Sequence, residues 1–270
     1  MTPPCTLPPS SSPTAQATER GATAGWLHDA RHGLLMGAAA LALVLPPAGV
    51  ALMGTQAGFG MKMDTSLRQQ SVRLADFAGE SASDDARLIA HWVADSGDNQ
   101  GLSFVIIDKK NAKVFVFDPQ AKLNGATPVL IGAARGDDSV TGIGKRPIHE
   151  VRPEERTTAA GRFMAEPGRN ALGEDVVWVD YEAAVSMHRV RVTDPAERRL
   201  ERLATPETDD NRISYGCINI PVAFYENTMK PAFNARYGVA YVLPETKPLG
   251  AVFANAYDPR KRATRPAKTL

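Results

Sequence analysis

Leu102-Ser103-Phe104-Val105-Ile106-Ile107-Asp108-Lys109-Lys110-Asn111-Ala112-Lys113-Val114-Phe115-Val116-Phe117 is the stretch that decides the fold. Two β-branched and aromatic runs flank a polar turn, and in the second run Val114 and Val116 alternate with Phe115 and Phe117. Successive side chains of a strand point to opposite faces, so the alternation predicts a β-hairpin with a different apolar set on each side. Further short β-like runs follow at Pro128 to Ile131, Val176 to Val179, Ala184 to Val192, Ile213 to Ile220 and Val239 to Leu243. Between the last two, Pro221 stands where a first helical residue would, and Phe224, Tyr225, Met229 and Phe233 give an apolar helix face. Residues 100–246 are therefore expected to form one body, mainly β with short helices.

Upstream of the hairpin, residues 58–99 read as a helical spacer. Leu67, Val72, Leu74 and Phe77 suggest one amphipathic helix, and Ser83 before Asp84, Asp85 and an apolar run to Val93 suggests a second, capped one. Farther upstream no charge occurs from Gly33 to Met61, and the apolar run Leu34 to Leu45 follows Arg20 and Arg31. Segment 33–57 is therefore expected to target a membrane, either as a cleaved signal peptide or as a retained signal anchor. Pro46 and Pro47 after a short apolar run favour cleavage, whereas Leu52 and Met53 lengthen the run towards a span. Both alternatives place the body outside, at a periplasmic or cell-wall face. Residues 1–32 begin rich in Pro, Ser and Thr and are expected to be a disordered tail, and 247–270 a solvated basic tail.

The chain of 270 residues carries 31 Lys+Arg against 30 Asp+Glu, a balance that leaves no positive surplus for non-specific binding to nucleic acid. Its 2 cysteines cannot form a disulfide framework. No C-x-x-C or H-E-x-x-H spacing occurs, which argues against a metal site.

The chemistry centres on Cys217, which lies in Ser214-Tyr215-Gly216-Cys217-Ile218-Asn219. A glycine just before a cysteine permits close backbone approach, and small or polar neighbours can aim backbone N–H groups at a reacting carbonyl. A nucleophilic thiol needs a base, usually histidine. His28, His32, His91, His149 and His188 all precede Cys217, an order that excludes a papain-like arrangement. His188 alone falls inside an apolar β-like run, Val185-Ser186-Met187-His188-Arg189-Val190, and is the candidate base.

His188 followed by the Ser214–Asn219 motif resembles the signature of the L,D-transpeptidase catalytic domain, the YkuD family, in which a histidine precedes an S/T-H-G-C-hydrophobic-Asn/Arg element. Thr158-Ala159-Ala160-Gly161-Arg162-Phe163 is similar to that family's upstream T-P-x-G-x-F element, with Ala159 in place of the proline, and the opening hairpin also resembles its start. Two departures stand out. Tyr215 occupies the place of the family's second histidine, and the charged stretch Asp194 to Asp210 lengthens the interval from His188 to Ser214, as an insertion or lid would.

The resemblance implies a β-sandwich or β-barrel catalytic domain over residues 100–246, with acyl transfer through a thioester on Cys217 and His188 as base. It further implies that backbone N–H groups of Cys217 and of Gly216 or Tyr215 stabilise the oxyanion, that Ser214 and Asn219 fix the loop, and that Arg189 orients a substrate carboxylate or forms a surface salt bridge. The implied donor is a peptidoglycan stem tetrapeptide; the acceptor is another stem peptide, a protein amine or water; carbapenem-type β-lactams are the implied inhibitors, and the resemblance implies no metal or organic cofactor. The alternative is a non-catalytic peptidoglycan-binding or scaffold protein.

Overall fold

The computed structural model describes residues 71–234 and 236–263. The expected tail (1–32), signal or anchor (33–57) and the start of the spacer lie outside these residues. Helix α1 (Asp84–Ser96) begins where its sequence signals place it. Ser83 Oγ accepts from Ala86 N at 3.1 Å, Asp84 and Asp85 complement the positive end of the helix, and Gly97 closes it with φ 71°. The strands follow as β1 (Phe104–Asp108), β2 (Lys113–Phe117), β3 (Leu123–Pro128), β4 (Ile131–Gly132), β5 (Gly161–Arg169), β6 (Asp175–Asp180) and β7 (Val185–Arg189). After β7 come the short helix α2 (Arg199–Ala204), β8 (Arg212–Ser214) and β9 (Ile218–Ile220). Helix α3 (Val222–Phe224) then widens into a π-turn (Tyr225–Met229) and resumes as α4 (Lys230–Phe233), with β10 (Gly238–Val242), α5 (Leu249–Val252) and α6 (Arg260–Ala263) last. Pro231, which has no N–H to donate, lies two residues past the end of the widened turn.

Among the described residues, eight strands form one sheet in the order β3-β2-β1-β10-β5-β6-β7-β9, and β4 pairs with β8 beside it. The β1–β10, β7–β9 and β4–β8 pairs are parallel; the others are antiparallel. The chain just past β3 reaches the opposite edge, where Leu130 and Asn219 exchange backbone hydrogen bonds of 2.9 and 2.8 Å. The sheet is thereby nearly closed into a barrel.

The alternation seen in the hairpin sorts the interior from the exterior. Val105, Ile107, Val114 and Val116 face an aliphatic interior with Val177, Met187, Ile218 and Val242, into which the helical segment sends Tyr225, Met229 and Phe233. Phe104, Ile106, Phe115, Phe117 and Tyr241 face outwards into a second, aromatic-rich core made with α1 and with Phe77 and Phe253. Phe104 stacks on Phe117 with centroids 4.7 Å apart, and Trp92 of α1 meets Tyr241 edge-on. Burial on both faces explains why these strands read as continuous apolar runs.

This architecture corrects the expected one, a mainly β sandwich or barrel behind a helical spacer and a membrane-targeting segment. The sheet is mixed and nearly closed, and α1 is not a spacer, because its apolar face is one wall of the outer core. Residues 71–82 are not helical; Asp76 bridges Lys122 and Phe77 is buried on the sheet, since a residue pattern of Val72, Leu74 and Phe77 serves an extended strip as well as a helix face. The expected C-terminal tail also folds back. Phe253 is buried, and Tyr257 and Arg262 both bond to Asp95 of α1. Among the described residues no helix is long and apolar enough to cross a membrane. Membrane anchoring is thus not supported among the described residues, and segment 33–57, on which the expected exported or anchored location rests, lies outside them.

Candidate active site

Strands β7 and β9 run in parallel with Met187 beside Ile218 and His188 beside Asn219. Met187, Ile218 and Ile220 fill the barrel interior, so the alternate set, Ser186 and His188 on one strand and Cys217 and Asn219 on the other, lies on the outer face. Two distant stretches of sequence thus meet because a crossover brings a parallel strand alongside.

Cys217 is presented by a turn that only glycine can make. Gly216 has φ 126°, and a Cβ there would lie 2.6 Å from Thr157 O. The turn is then strapped from three sides. Ser214 Oγ donates to Cys217 O at 2.6 Å and accepts from Gly216 N at 3.1 Å. Asn219 Nδ2 donates to Cys217 O at 3.2 Å. Thr158 Oγ1 donates to Gly216 O at 2.8 Å while accepting from Gly132 N at 2.9 Å. The half-buried Cys217 Sγ lies 3.5 Å from Ala184 O and 3.9 Å from Ser186 Oγ.

His188 Nδ1 lies 2.8 Å from Arg189 O. A carbonyl can only accept, so Nδ1 carries the proton and the neutral ring keeps Nε2 as its basic nitrogen. Burial holds the His188 pKa below its ordinary value; the bond to Arg189 O opposes this, and the Arg199 and Arg191 charges add to it. The structure thus brings His188 and Cys217 to one face of adjoining strands.

The remaining expected residues divide. Ser214, Gly216 and Asn219 act on the turn itself. Arg189 is engaged elsewhere: its guanidinium pairs with Asp175 at 3.0 Å and with Glu226, and lies 4.3 Å over the Tyr225 ring. Tyr215 is exposed at the rim, under the guanidinium of Arg156 at 4.1 Å. The other described histidines are remote in role: His91 is buried and accepts from Ala75 N at 3.2 Å, and His149 is exposed beside Glu150. Among the described residues no group of three or more His, Cys, Asp or Glu could hold a metal ion.

The stretch Asp194 to Asp210 covers the outer face here. Arg199 Nη1 donates to Asn219 Oδ1 at 2.7 Å and its Nε to Glu197 at 2.6 Å, while Asn211 Nδ2 donates to Val129 O at 2.9 Å. Behind the turn lies a set of groups that the sequence did not single out. The fully buried Lys109 Nζ donates to Gly136 O at 2.6 Å and to Asp137 and Thr158 O at 2.7 Å, with Glu245 at 3.6 Å and Arg212 paired to Glu245 in turn. Burial pushes the Asp137 carboxyl up, but Lys109, Thr246 and the Glu245 and Lys247 N–H groups outweigh it and hold the group well below the usual carboxylate range. Thr158 joins this network to the turn, since its carbonyl serves Lys109 and its hydroxyl serves Gly216.

No family model matches the chain, and no curated protein matches it.

Proposed function

We propose that the chain is a cysteine-dependent acyltransferase of the L,D-transpeptidase type, acting on peptidoglycan stem peptides through a thioester on Cys217. One observation carries the reading: a thiol presented by a strapped glycine turn shares an outer face with a histidine whose tautomer leaves Nε2 basic. His188 Nε2 takes the thiol proton as Sγ attacks the carbonyl carbon of the third stem residue. The oxyanion is held by backbone N–H groups, and because Gly216 N is turned to Ser214 Oγ, the donors are those of Cys217 and Tyr215. Collapse breaks the C–N bond, and the departing D-alanine amine takes the proton from His188. An amine of a second stem, a protein amine or water then attacks the thioester.

Intact-protein mass spectrometry tests it. Incubation with a tetrapeptide-bearing muropeptide or a carbapenem is expected to add one acyl mass to wild type and none to Cys217→Ala. A folded wild-type protein that gains no adduct between pH 6 and 9 overturns the proposal.

A second reading, a non-catalytic peptidoglycan-binding or scaffold protein, is favoured by the contacts of Sγ with Ala184 O and Ser186 Oγ, which seat the thiol as a structural side chain would be seated. It expects binding to survive Cys217→Ala and the thiol to titrate near the ordinary value of about 8.5.

A further inference from the structure

Arg156 is the conspicuous charge at the rim of the Cys217 turn. Its segment abuts that turn: Arg156 O accepts from Ala134 N at 3.0 Å, and Thr157 O is the atom that forbids a side chain at Gly216. Neighbouring arginines are neutralised, Arg146 and Arg152 by Glu155 at 3.0 and 3.1 Å, Arg135 by Asp209 and Arg212 by Glu245. Among the described residues no carboxylate lies within ion-pair distance of Arg156. Its guanidinium makes one hydrogen bond there, a long one of 3.4 Å from Nη2 to Val151 O, and its buried Nε has no partner at all. A half-buried cation without a counter-charge, with an unsatisfied donor, is costly unless something supplies the missing anion. The guanidinium carbon lies 4.1 Å from the centroid of the exposed ring of Tyr215, over its face and two residues before the thiol. The cation–π contact holds the guanidinium at the rim, and its planar fork of donors matches a carboxylate.

We propose that Arg156, seated on Tyr215, binds a free carboxylate of the acyl donor and sets the donor against the Cys217 turn. This rests on reading Cys217 as the acylated nucleophile, and it gives Tyr215, the departure from the resembling family's histidine, a role as the platform of an anion subsite.

The test compares alkylation of the full-length chain by anionic iodoacetate and neutral iodoacetamide, read at the Cys217 peptide with the Cys5 peptide as internal reference. In wild type the normalised iodoacetate-to-iodoacetamide rate ratio is expected to exceed that of Arg156→Gln by about 10-fold, within the range by which a local field raises encounter with a charged ligand. Arg156→Lys is expected to keep part of the preference and Tyr215→Phe nearly all of it. A ratio unchanged in folded Arg156→Gln overturns the proposal. With a tetrapeptide donor, the same variant should raise KM about 10-fold while kcat stays within about 2-fold, as loss of uniform binding does; an unchanged KM also overturns it. Alkylation needs no peptidoglycan substrate, so failure of the acyltransfer reading shows separately, as a wild-type protein without a muropeptide adduct.

Discussion

The outer face of the sheet is covered twice, by different chemistry. Over β1, β2 and β10, helix α1 lays Ile89, Ala90, Trp92 and Val93 against Phe104, Ile106, Phe117 and Tyr241. Over β7 and β9 the cover is residues 194–211, none of which joins either apolar core. That cover is held by directional bonds: Arg199 to Asn219, Asn211 to Val129 O, and Arg202 to Glu197 O and Asp210 O at 2.8 Å. Apolar burial is cumulative and tied to global folding, whereas a hydrogen-bonded cover can open locally at little cost to the core. The difference separates a permanent wall from a cover over the candidate site.

The strongest way to break this comparison is Trp92→Ala. It is expected to cost about 3–5 kcal/mol in denaturant unfolding, with the alkylation rate of Cys217 in the folded fraction unchanged. Leu200→Ala, at an exposed position of the other cover, should stay within about 0.5 kcal/mol, and equal losses at the two positions would erase the distinction. Next in size is Arg199→Met, which leaves Asn219 Oδ1 without its donor and should cost about 1–3 kcal/mol. Hydrogen exchange should accelerate more at 214–220 than at 104–108; uniform acceleration would mean that the polar cover is as integral as α1.

Each cover also encloses one histidine. Burial, with the Arg260 and Arg87 charges, lowers the His91 pKa, as burial chiefly does for His188. A lowered folded-state value means that the unfolded chain binds the proton more readily. Stability is therefore full above the ordinary histidine value of about 6.5 and declines as pH falls through and below it. His91→Gln and His188→Gln should each flatten the midpoint-versus-pH curve between pH 7.5 and 5.5, and a curve flattened by only one of them would assign the whole effect to one cover. The caps come last: Ser83→Ala at α1 is expected to cost about 1 kcal/mol, and Asp194→Ala, capping a single turn of the polar cover at Ala196 N, no more than about 0.5 kcal/mol.

How much was legible depends on whether the signal was local. The hairpin was, because Val and Phe alternate between two apolar environments. The Ser83 cap was legible for the same reason, though its helix reads as a spacer until the aromatic face of β1, β2 and β10 is seen to need a cover. Strand β5 was not. Gly161 to Arg169 holds Pro167 and few apolar residues, and it is a strand because residues 161–165 pair with β10 and residues 166–169 with β6. Pro167 lies past the end of the β10 ladder, where its missing N–H removes nothing on that side. Cys217 and His188 could be singled out by residue type and order, and their parallel register could not. Lys109 reads as a solvated turn residue, because nothing local shows that Asp137 and Glu245 converge on it.

The contact between Leu130 and Asn219 has a consequence for how copies of this chain meet one another. A sheet with two open margins offers each margin as a template on which a strand from another molecule can grow, and here the two margins are brought together at one bridge. Asn219 makes that closure with its backbone while its side chain holds the carbonyl of Cys217. A substitution such as Asn219→Pro, which removes the N–H that bonds to Leu130 O, would loosen that closure, so damage at the site would also leave more of both edges open to pairing with another chain.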